Sequence, residues 1–371
     1  MIYYFTDIVL DEEIMRSREF KNSEAGKLRS LYVANSIDHT IKIVSMGTPE
    51  KKGIFKDSEQ IVNEKIDIYY LKGFQFNQIL NIFIYFFYLI LYLRKLKKND
   101  KVIIYNFIPK QTLPILFMKK IVGFTLIAQV EELYSSKNYS CLKNKLNQVV
   151  EWLAFKICDG FILVNSLIKD KRIEEKPSII SQGYAFSKKN KPIKITNNES
   201  LILYSGRLDY EGGVDIFLDS LKYLEKEVKV IITGKGTFES HIHNLTVPQN
   251  VKVEYKGFVD EDVYEEILTS STLCINPIRL NSEFSKMSFP SKVLQYLSFG
   301  NKVVSSNFGG LNDLPPFLRD SIITYANDDP KELAKAIERA LESEIQKEQV
   351  AENTWSYFTK QSKKIKSFVI G

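Results

Sequence analysis

Two basic residues in the second half of the chain stand where they could bind a phosphorylated ligand. The first, Arg207, lies in Tyr204–Gly213 (YSGRLDYEGG), which follows a predicted strand and precedes a predicted helix. A guanidinium group can bind two phosphate oxygens at once, and Gly206 lets the backbone turn tightly before it. The alternative is a turn in which Arg207 forms an ion pair with Asp209 or Glu211, and this motif alone does not decide between the two.

The second basic residue, Lys292, lies in Met287–Gly300 (MSFPSKVLQYLSFG), a run that predicts a helix with Ser288 as N-cap and Pro290 near its first position. A cation in the first turn opposes the helix dipole at a cost of about 0.3–1 kcal/mol. An anion bound at the helix N-terminus would offset that cost. We therefore expect Lys292 and Arg207 to hold one diphosphate together. A solvated Lys292 side chain is the alternative.

Glycine-rich loops follow two other predicted strands. They are Thr233–Gly236 (TGKG) and Phe308–Gly310 (FGG), and either would let a ligand approach the backbone closely. Neither matches G-x-G-x-x-G or G-x-x-x-x-G-K-[ST]. A dinucleotide-dependent oxidoreductase and a P-loop NTPase are therefore disfavoured.

The first half offers a loop and a pair of carboxylates. The loop Asn22–Lys27 (NSEAGK) follows the first strand and opens a helix, and Glu131 and Glu132 follow the strand TLIAQV. Carboxylates at the C-terminal end of a strand can act as a base or orient a sugar hydroxyl. Capping of the next segment is the alternative.

Metal ligation and catalysis by histidine are not expected. His39 lies in a predicted turn, and His241 and His243 lie on a predicted surface helix. The acidic run Asn327–Asp329 precedes Pro330 and a helix, so capping explains it better than metal binding. We expect no metal site.

The elements that must position these residues alternate from end to end between apolar strands and helical patterns. Strands such as VIIYNF and FILVN are apolar throughout, which is typical of parallel sheets covered on both faces. The polar, lysine-rich segment 187–199 interrupts the alternation and predicts a linker. The sequence therefore predicts an α/β protein with two doubly wound, Rossmann-like domains, 1–186 and 200–354, and a ligand site in the cleft between them.

Composition narrows the functional classes. The 371 residues carry a formal charge of +6, which favours anionic partners but is too small to indicate nucleic acid. The 3 cysteines are scattered without a CxxC pair, which favours a reducing compartment. Because Met1–Asp7 lacks a basic leader, we expect a cytoplasmic protein.

One helix is unusually apolar. Ile79–Leu93 (ILNIFIYFFYLILYL) is interrupted by Asn81 and followed by Arg94, Lys95, Lys97 and Lys98. A membrane span needs about 20 apolar residues, so this segment is short. It fits a crossover helix buried against the sheet, but the aromatic residues and the basic cluster also suit a helix lying in a membrane interface. Both can hold for opposite faces.

Taken in order, the motifs of the second half resemble those of the retaining glycosyltransferases of family 4. Tyr204–Leu221 resembles the strand, Gly-Arg pair and helix that open its second domain, and Tyr255–Val259 (YKGFV) resembles its base-facing loop. Phe289–Gly300 resembles its donor-binding helix, and VVSSNFGG the strand and loop that follow. The first half matches more loosely, through NSEAGK, VIIYNF and QVEELY.

The resemblance covers essentially the whole chain and implies the GT-B fold, with a final helix 355–371 crossing back onto the first domain. It implies transfer of a sugar from a nucleotide-diphosphate donor, such as a UDP- or GDP-sugar, with retention and without a metal or cofactor. The implied acceptor is a saccharide or a polyprenyl-diphosphate-linked saccharide in surface polysaccharide synthesis, at the inner face of the membrane. The expected catalytic residues are Arg207, Lys292 and Glu131; the expected donor-binding residues are Gly206, Gly234, Gly257, Phe258, Val259, Ser288, Phe289, Pro290, Ser291 and Gln295; the expected acceptor-side residues are Gly26 and Glu132.

The sequence departs from the family at several positions. Gly212 stands where the family usually has a lysine, so Lys292 could supply the missing charge. The family's paired glutamates fall on Met287 and Gln295. Gln295 can hydrogen-bond ribose hydroxyls only as a neutral amide, and Glu283 could take over from Met287. The family's histidine after the fifth strand falls on Glu131. These departures keep two alternatives open, a nucleotide-sugar epimerase of the same fold and a non-catalytic partner of another transferase.

Overall fold

The computed structural model describes residues 1–133, 141–168, 170–184, 186, 200–280 and 291–371; at 78, 79 and 141–144 it describes the backbone alone. The chain divides into two compact units, Met1–Ala185 with Thr359–Gly371, and Phe186–Phe358. Each is built on a largely parallel sheet with helices, so the predicted architecture of two Rossmann-like α/β units is confirmed. The segment 187–199, predicted as a linker, lies outside the described residues.

The first unit is built on an eight-stranded sheet in the order β10-β9-β8-β7-β1-β2-β5-β4. The strands pair in parallel except for β4, which lies antiparallel to β5 at the edge. A two-stranded antiparallel ribbon, β3–β6, stands apart from the sheet. The strands are β1 (Ile2–Thr6), β2 (Ile41–Ser45), β3 (Gly53–Phe55), β4 (Ser58–Asn63), β5 (Ile66–Tyr70), β6 (Gly73–Gln75), β7 (Lys101–Tyr105), β8 (Thr125–Val130), β9 (Gly160–Leu163) and β10 (Ser178–Ile180).

Three consecutive helices of this unit lie on one face of the sheet. The connections from β5 to β7, β7 to β8 and β8 to β9 run in the same direction across the sheet, and right-handed crossovers therefore place their helices together. These helices are α3, α4 and α5, and α4 packs against both neighbours. The helices are α1 (Glu12–Arg18), α2 (Glu24–Ile37), α3 (Gln78–Leu93), α4 (Pro109–Val122), α5 (Cys141–Ile157) and α6 (Lys171–Glu174).

The apolar helix α3 has two different sides. Tyr85, Leu89 and Leu93 are fully buried against the unit, as expected of a crossover helix. Phe83 and Phe87, on the opposite side, are 60% and 64% exposed. Among the described helices, none combines the length and apolar character needed to cross a bilayer.

The second unit is built on a six-stranded parallel sheet in the order β13-β12-β11-β14-β15-β16. Its strands are β11 (Ser200–Arg207), β12 (Val228–Lys235), β13 (Val251–Gly257), β14 (Leu273–Asn276), β15 (Lys302–Ser306) and β16 (Ile322–Tyr325). Its helices are α7 (Val214–Ser220), α8 (Glu239–His243), α9 (Glu261–Ser270), α10 (Ser291–Ser298), α11 (Pro316–Arg319), α12 (Pro330–Glu342) and α13 (Lys347–Ile370), with 3₁₀ turns at Leu221–Tyr223 and Gly309–Asp313.

Helix α13 begins at Lys347 in the second unit and ends at Ile370. Its residues from Thr359 onward belong to the first unit. Its last turn is held in the first unit by Lys101, whose Nζ donates to the carbonyls of Val369 and Ile370 at 2.6 and 3.1 Å. Cations are stabilising at a helix C-terminus because they satisfy its free carbonyls and complement its dipole. The end of α13 is therefore fixed beside β7.

The buried thiols give a direct test of the packing. Burial raises the pKa of Cys158 to about 12 and also raises the pKa of Cys274. Since the thiolate is the reactive form, we expect both to be inert toward a disulfide reagent in the folded protein at pH 8. A folded Cys141→Ser variant should therefore have no fast-reacting thiol. Adding denaturant should expose two reactive thiols, Cys158 and Cys274. Fast reaction of either thiol before unfolding would contradict this packing.

Candidate functional site

The candidate phosphate site lies at the carboxyl end of the sheet in the second unit. Lys292, the second residue of α10, extends to the end of β11, where its Nζ lies 3.2 Å from Ser205 Oγ. It also lies 3.0 Å from the hydroxyl of Tyr264 and 3.4 Å from Gln295 Oε1. Tyr264 comes from α9, so three elements meet at this ammonium group.

The surroundings of Lys292 are polar but neutral. The side chain is half-buried and packs over the Tyr264 ring, 4.4 Å from its centroid, so the alternative of a solvated lysine is wrong. None of the carboxylates that the structure describes forms an ion pair with it. Because none of the described carboxylates balances this half-buried cation at a helix N-terminus, we expect the site to attract an anion. This arrangement supports the predicted phosphate contact.

Arg207 is held differently. Its side chain is 63% exposed and forms ion pairs with Asp209 at 2.5 Å and Glu211 at 3.5 Å. This is the turn that the sequence left open as an alternative. Because exposed ion pairs contribute no more than about 1 kcal/mol, a diphosphate could replace the carboxylates at small cost. Contact between Arg207 and phosphate stays a prediction.

Two glycines near the carboxyl ends of β11 and β12 have different structural roles. A Cβ atom on Gly234 would stand 1.8 Å from the carbonyl oxygen of Gly206 on the adjacent strand, so close packing of β11 and β12 explains Gly234. Gly206 has a φ of +152°, and no atom lies within 4 Å of where its Cβ would be. The space beside Gly206, next to Arg207, is therefore open to a ligand.

The loop after β13 carries the predicted base-facing residues. The strand ends at Gly257, the ring of Phe258 is 74% exposed, and Val259 is half-buried. Lys235, at the end of β12, lies 5.7 Å from the centroid of the Phe258 ring. An exposed aromatic ring beside a cation offers a stacking surface to a planar group.

The remaining predictions on the second unit have mixed outcomes. Ser291 is the first residue of α10, and Gln295 contacts Lys292 and Tyr264. Asp329 caps α12 by accepting from the amide of Lys331 at 2.8 Å, which confirms the capping prediction there. The predicted N-cap Ser288 lies outside the described residues, as do Phe289, Pro290, Met287 and Glu283.

In the first unit, Glu131 belongs to a buried polar cluster at the end of β8. Its Oε1 accepts from Arg29 Nε and from Gln129 Nε2, both at 2.8 Å. Arg29, on α2, is 1% exposed and also donates to the carbonyls of Ser181 and Gly183 at 2.5 and 2.8 Å. The ion pair thus links α2, β8 and the segment after β10.

Buried tyrosines surround this cluster. Tyr4 donates to Gln129 Oε1 at 2.6 Å, and burial raises the pKa of Tyr4, Tyr105 and Tyr184, with the Glu131 carboxylate adding to the effect. The tyrosines therefore stay neutral, and the charge of Glu131 is balanced by Arg29. Gly26 lies in the first turn of α2, where an added Cβ would be 3.2 Å from the Tyr105 hydroxyl. Glu132 is half-buried.

Sequence reasoning missed three residues that organise these sites. Tyr264 lies on an amphipathic helix without a motif, and Arg29 is distant from Glu131 in sequence. Gln129 gave a signal, because it is a polar residue inside the otherwise apolar strand TLIAQV.

A Tyr264→Phe substitution tests how Lys292 is held. The ring and its packing remain, but the hydroxyl that contacts Lys292 Nζ at 3.0 Å is lost. A typical hydrogen bond contributes about 1 kcal/mol, so we expect roughly fivefold weaker binding of a nucleoside diphosphate by calorimetry. Tyr223→Phe, on an exposed residue of the same unit, is the matched control. Equal affinities for the two variants would show that Tyr264 does not position Lys292.

Residues 199–343 match the family described as Glycosyl transferases group 1. An uncharacterized glycosyltransferase of Methanocaldococcus jannaschii is 28% identical over 153 residues, 40% of this chain and 37% of that protein. A Campylobacter jejuni protein, named as an alpha-1,4-N-acetyl-D-galactosaminyltransferase acting on a diNAcBac-PP-undecaprenol-linked GalNAc saccharide, is 24% identical over 225 residues, 58% of this chain and 60% of that protein. The chain thus matches less than two thirds of the length of either relative.

A solved structure extends the likeness to the whole chain. Anabaena HepE, in complex with UDP and glucose, superposes with a TM-score of 0.63 at 14% identity, covering 100% of this chain and 98% of that one. At this identity the likeness shows the fold. The chain therefore has the GT-B fold of such glycosyltransferases, and its residues 199–343 match the glycosyl transferases group 1 family.

Proposed function

We propose that the protein is a retaining glycosyltransferase of family 4 that transfers a sugar from a nucleotide-diphosphate donor. One observation carries the proposal. The glycosyl transferases group 1 match falls on the unit in which Lys292, without a described charged partner, reaches the carboxyl end of the sheet beside the open Gly206. The complex of HepE with UDP and glucose supports a nucleotide-sugar donor.

In this proposal the second unit binds the donor. Lys292 and the amides of α10 stabilise the negative charge that develops on the leaving diphosphate. Arg207 exchanges Asp209 and Glu211 for phosphate oxygens, and Phe258 stacks on the base. Gln295 bonds a ribose hydroxyl through its neutral amide.

The transfer step breaks the bond between the anomeric carbon and the diphosphate oxygen and forms a bond from the same face to the acceptor oxygen. The acceptor proton passes to a phosphate oxygen of the donor, and Lys292 and Arg207 supply the positive charge that balances the leaving diphosphate. Glu131 serves as a positioning residue for the reacting sugars, held by Arg29 and Gln129. Gly26 and Glu132 lie on the acceptor side.

We further propose a lipid-linked saccharide acceptor in surface polysaccharide synthesis, with the reaction on the cytoplasmic side. The Campylobacter relative supports this choice, because its name specifies a saccharide linked through diphosphate to undecaprenol.

The test is a product analysis by mass spectrometry. The protein is incubated with UDP- and GDP-sugars, with and without an undecaprenyl-diphosphate-linked disaccharide. Transfer predicts a lipid product heavier by one sugar, with the anomeric configuration of the donor. An isomerised donor sugar formed without acceptor would instead support the epimerase, and inverted product would contradict retention.

A further inference from the structure

The first unit exposes large apolar side chains on its three neighbouring helices. We call this group the helical apolar face, and it consists of Phe83, Phe87 and Leu91 of α3, Phe117 and Ile121 of α4, and Trp152 of α5. These side chains are between 48% and 64% exposed. Single exposed apolar residues are ordinary, but a connected group of large ones marks an interaction surface.

Spacing and packing place the exposed apolar residues of α3 beside those of α4. Phe83, Phe87 and Leu91 follow each other at intervals of one helical turn, so they form a ridge along α3. The ring of Phe86, between them in sequence, lies 6.0 Å from that of Phe117, which joins the ridge to α4. Since right-handed crossovers put α3, α4 and α5 on the same side of the sheet, Trp152, exposed on α5, belongs to the same helical layer as the ridge.

Basic residues border the helical apolar face. Arg94, Lys97 and Lys98 follow α3 directly and are exposed, and Lys120 precedes Ile121 on α4. On α5, Lys156 lies 5.3 Å from the centroid of the Trp152 ring. Exposed aromatic rings bordered by lysine and arginine match the interface of an anionic bilayer, where the rings enter the headgroup region and the cations meet lipid phosphates.

We propose that the helical apolar face docks the protein on the surface of an anionic lipid bilayer. The inference deepens the proposed function and depends on it for its purpose, since docking would bring the enzyme to a lipid-linked acceptor. Docking needs no donor and no catalysis, so the two claims can fail separately.

Vesicle flotation of the full chain tests the proposal. Vesicles of phosphatidylcholine with phosphatidylglycerol are compared with phosphatidylcholine alone, without nucleotide. We expect binding to the anionic vesicles that weakens as salt rises. Phe83→Ser with Phe87→Ser should weaken it roughly tenfold for each ring removed. Replacing Arg94, Lys97 and Lys98 by Gln should reduce the preference for anionic lipid.

The matched control is Ile54→Ser with Ile61→Ser. These residues are 68% and 78% exposed on strands of the same unit, outside the three helices. The control should bind vesicles like the original protein, and circular dichroism should show that all variants are folded. The proposal is overturned if the original protein does not float with anionic vesicles, or if the double phenylalanine variant floats equally well. A dimer that this variant converts to a monomer, without lipid binding, would assign the face to a second copy of the chain.

Discussion

Lys292→Ala is expected to reduce sugar transfer by roughly 10²–10³, the effect of removing one group that stabilises charge in a transition state. The ammonium group lies at the N-terminus of α10 beside Ser205 and Tyr264. Without it, the leaving diphosphate loses its fixed counter-charge. The unliganded protein should lose little stability, because relief of the repulsion between the cation and the helix dipole offsets the lost contacts with Ser205 and Tyr264. Initial rates and thermal unfolding of the same samples separate the two effects.

Lys331→Ala is the matched control for this prediction. Lys331 is the second residue of α12, as Lys292 is of α10, and it lies in the same unit. Its side chain is exposed, and it does not contact the end of β11 as Lys292 does. If the two variants lose equal activity, Lys292 is not the phosphate ligand that we propose.

Arg29→Met is expected to cost about 3–5 kcal/mol of the free energy of unfolding of the first unit. The substitution keeps the length of the side chain but leaves the Glu131 carboxylate without its cation. It also removes the donors to Ser181 and Gly183, whose carbonyls accept from Arg29 at 2.5 and 2.8 Å. Arg207→Met removes an exposed ion pair and should cost no more than about 1 kcal/mol.

The two tryptophans allow each unit to be followed by itself. Trp152 lies in the first unit, and Trp355 lies in the second, where its Nε1 donates to the Ser298 carbonyl at 3.2 Å. In a Trp355→Phe background, urea unfolding monitored by fluorescence reports on the first unit. A loss for Arg29→Met no larger than that for Arg207→Met would mean that the Arg29–Glu131 pair does not hold α2 to β8.

The parallel sheets were predictable because their strands are apolar along their whole length. Strands such as β8 and β9 read as short apolar runs, and the structure places them where the alternation with helices predicts. The β3–β6 ribbon and β4 were missed. In β4, Gln60 is half-buried and the other five residues are exposed, so no alternation marks the strand. The N-terminal part of α13 was missed because its polar residues carry little apolar periodicity.

The candidate site was predictable in part. The position of Lys292 against the helix dipole is a local feature, and it led to the phosphate site. The contacts of Tyr264 with Lys292 and of Arg29 with Glu131 could not be predicted, because these residues are distant in sequence and meet only in the folded protein. For Arg207 the sequence does not decide between two roles. An exposed arginine beside two carboxylates has the same sequence pattern whether it binds phosphate or stays in its ion pairs.

The central claim, that the second unit binds a nucleoside diphosphate through Lys292, is tested most directly by thermal unfolding with UDP, GDP, ADP and dTDP. A ligand at 100 times its Kd adds about 2.7 kcal/mol of stability. We predict that one of the four nucleoside diphosphates raises the Tm. Lys292→Ala should abolish this shift, and Lys331→Ala should retain it. No shift with any of the four nucleotides, in protein shown to be folded, would contradict the claim and favour a non-catalytic partner of another transferase.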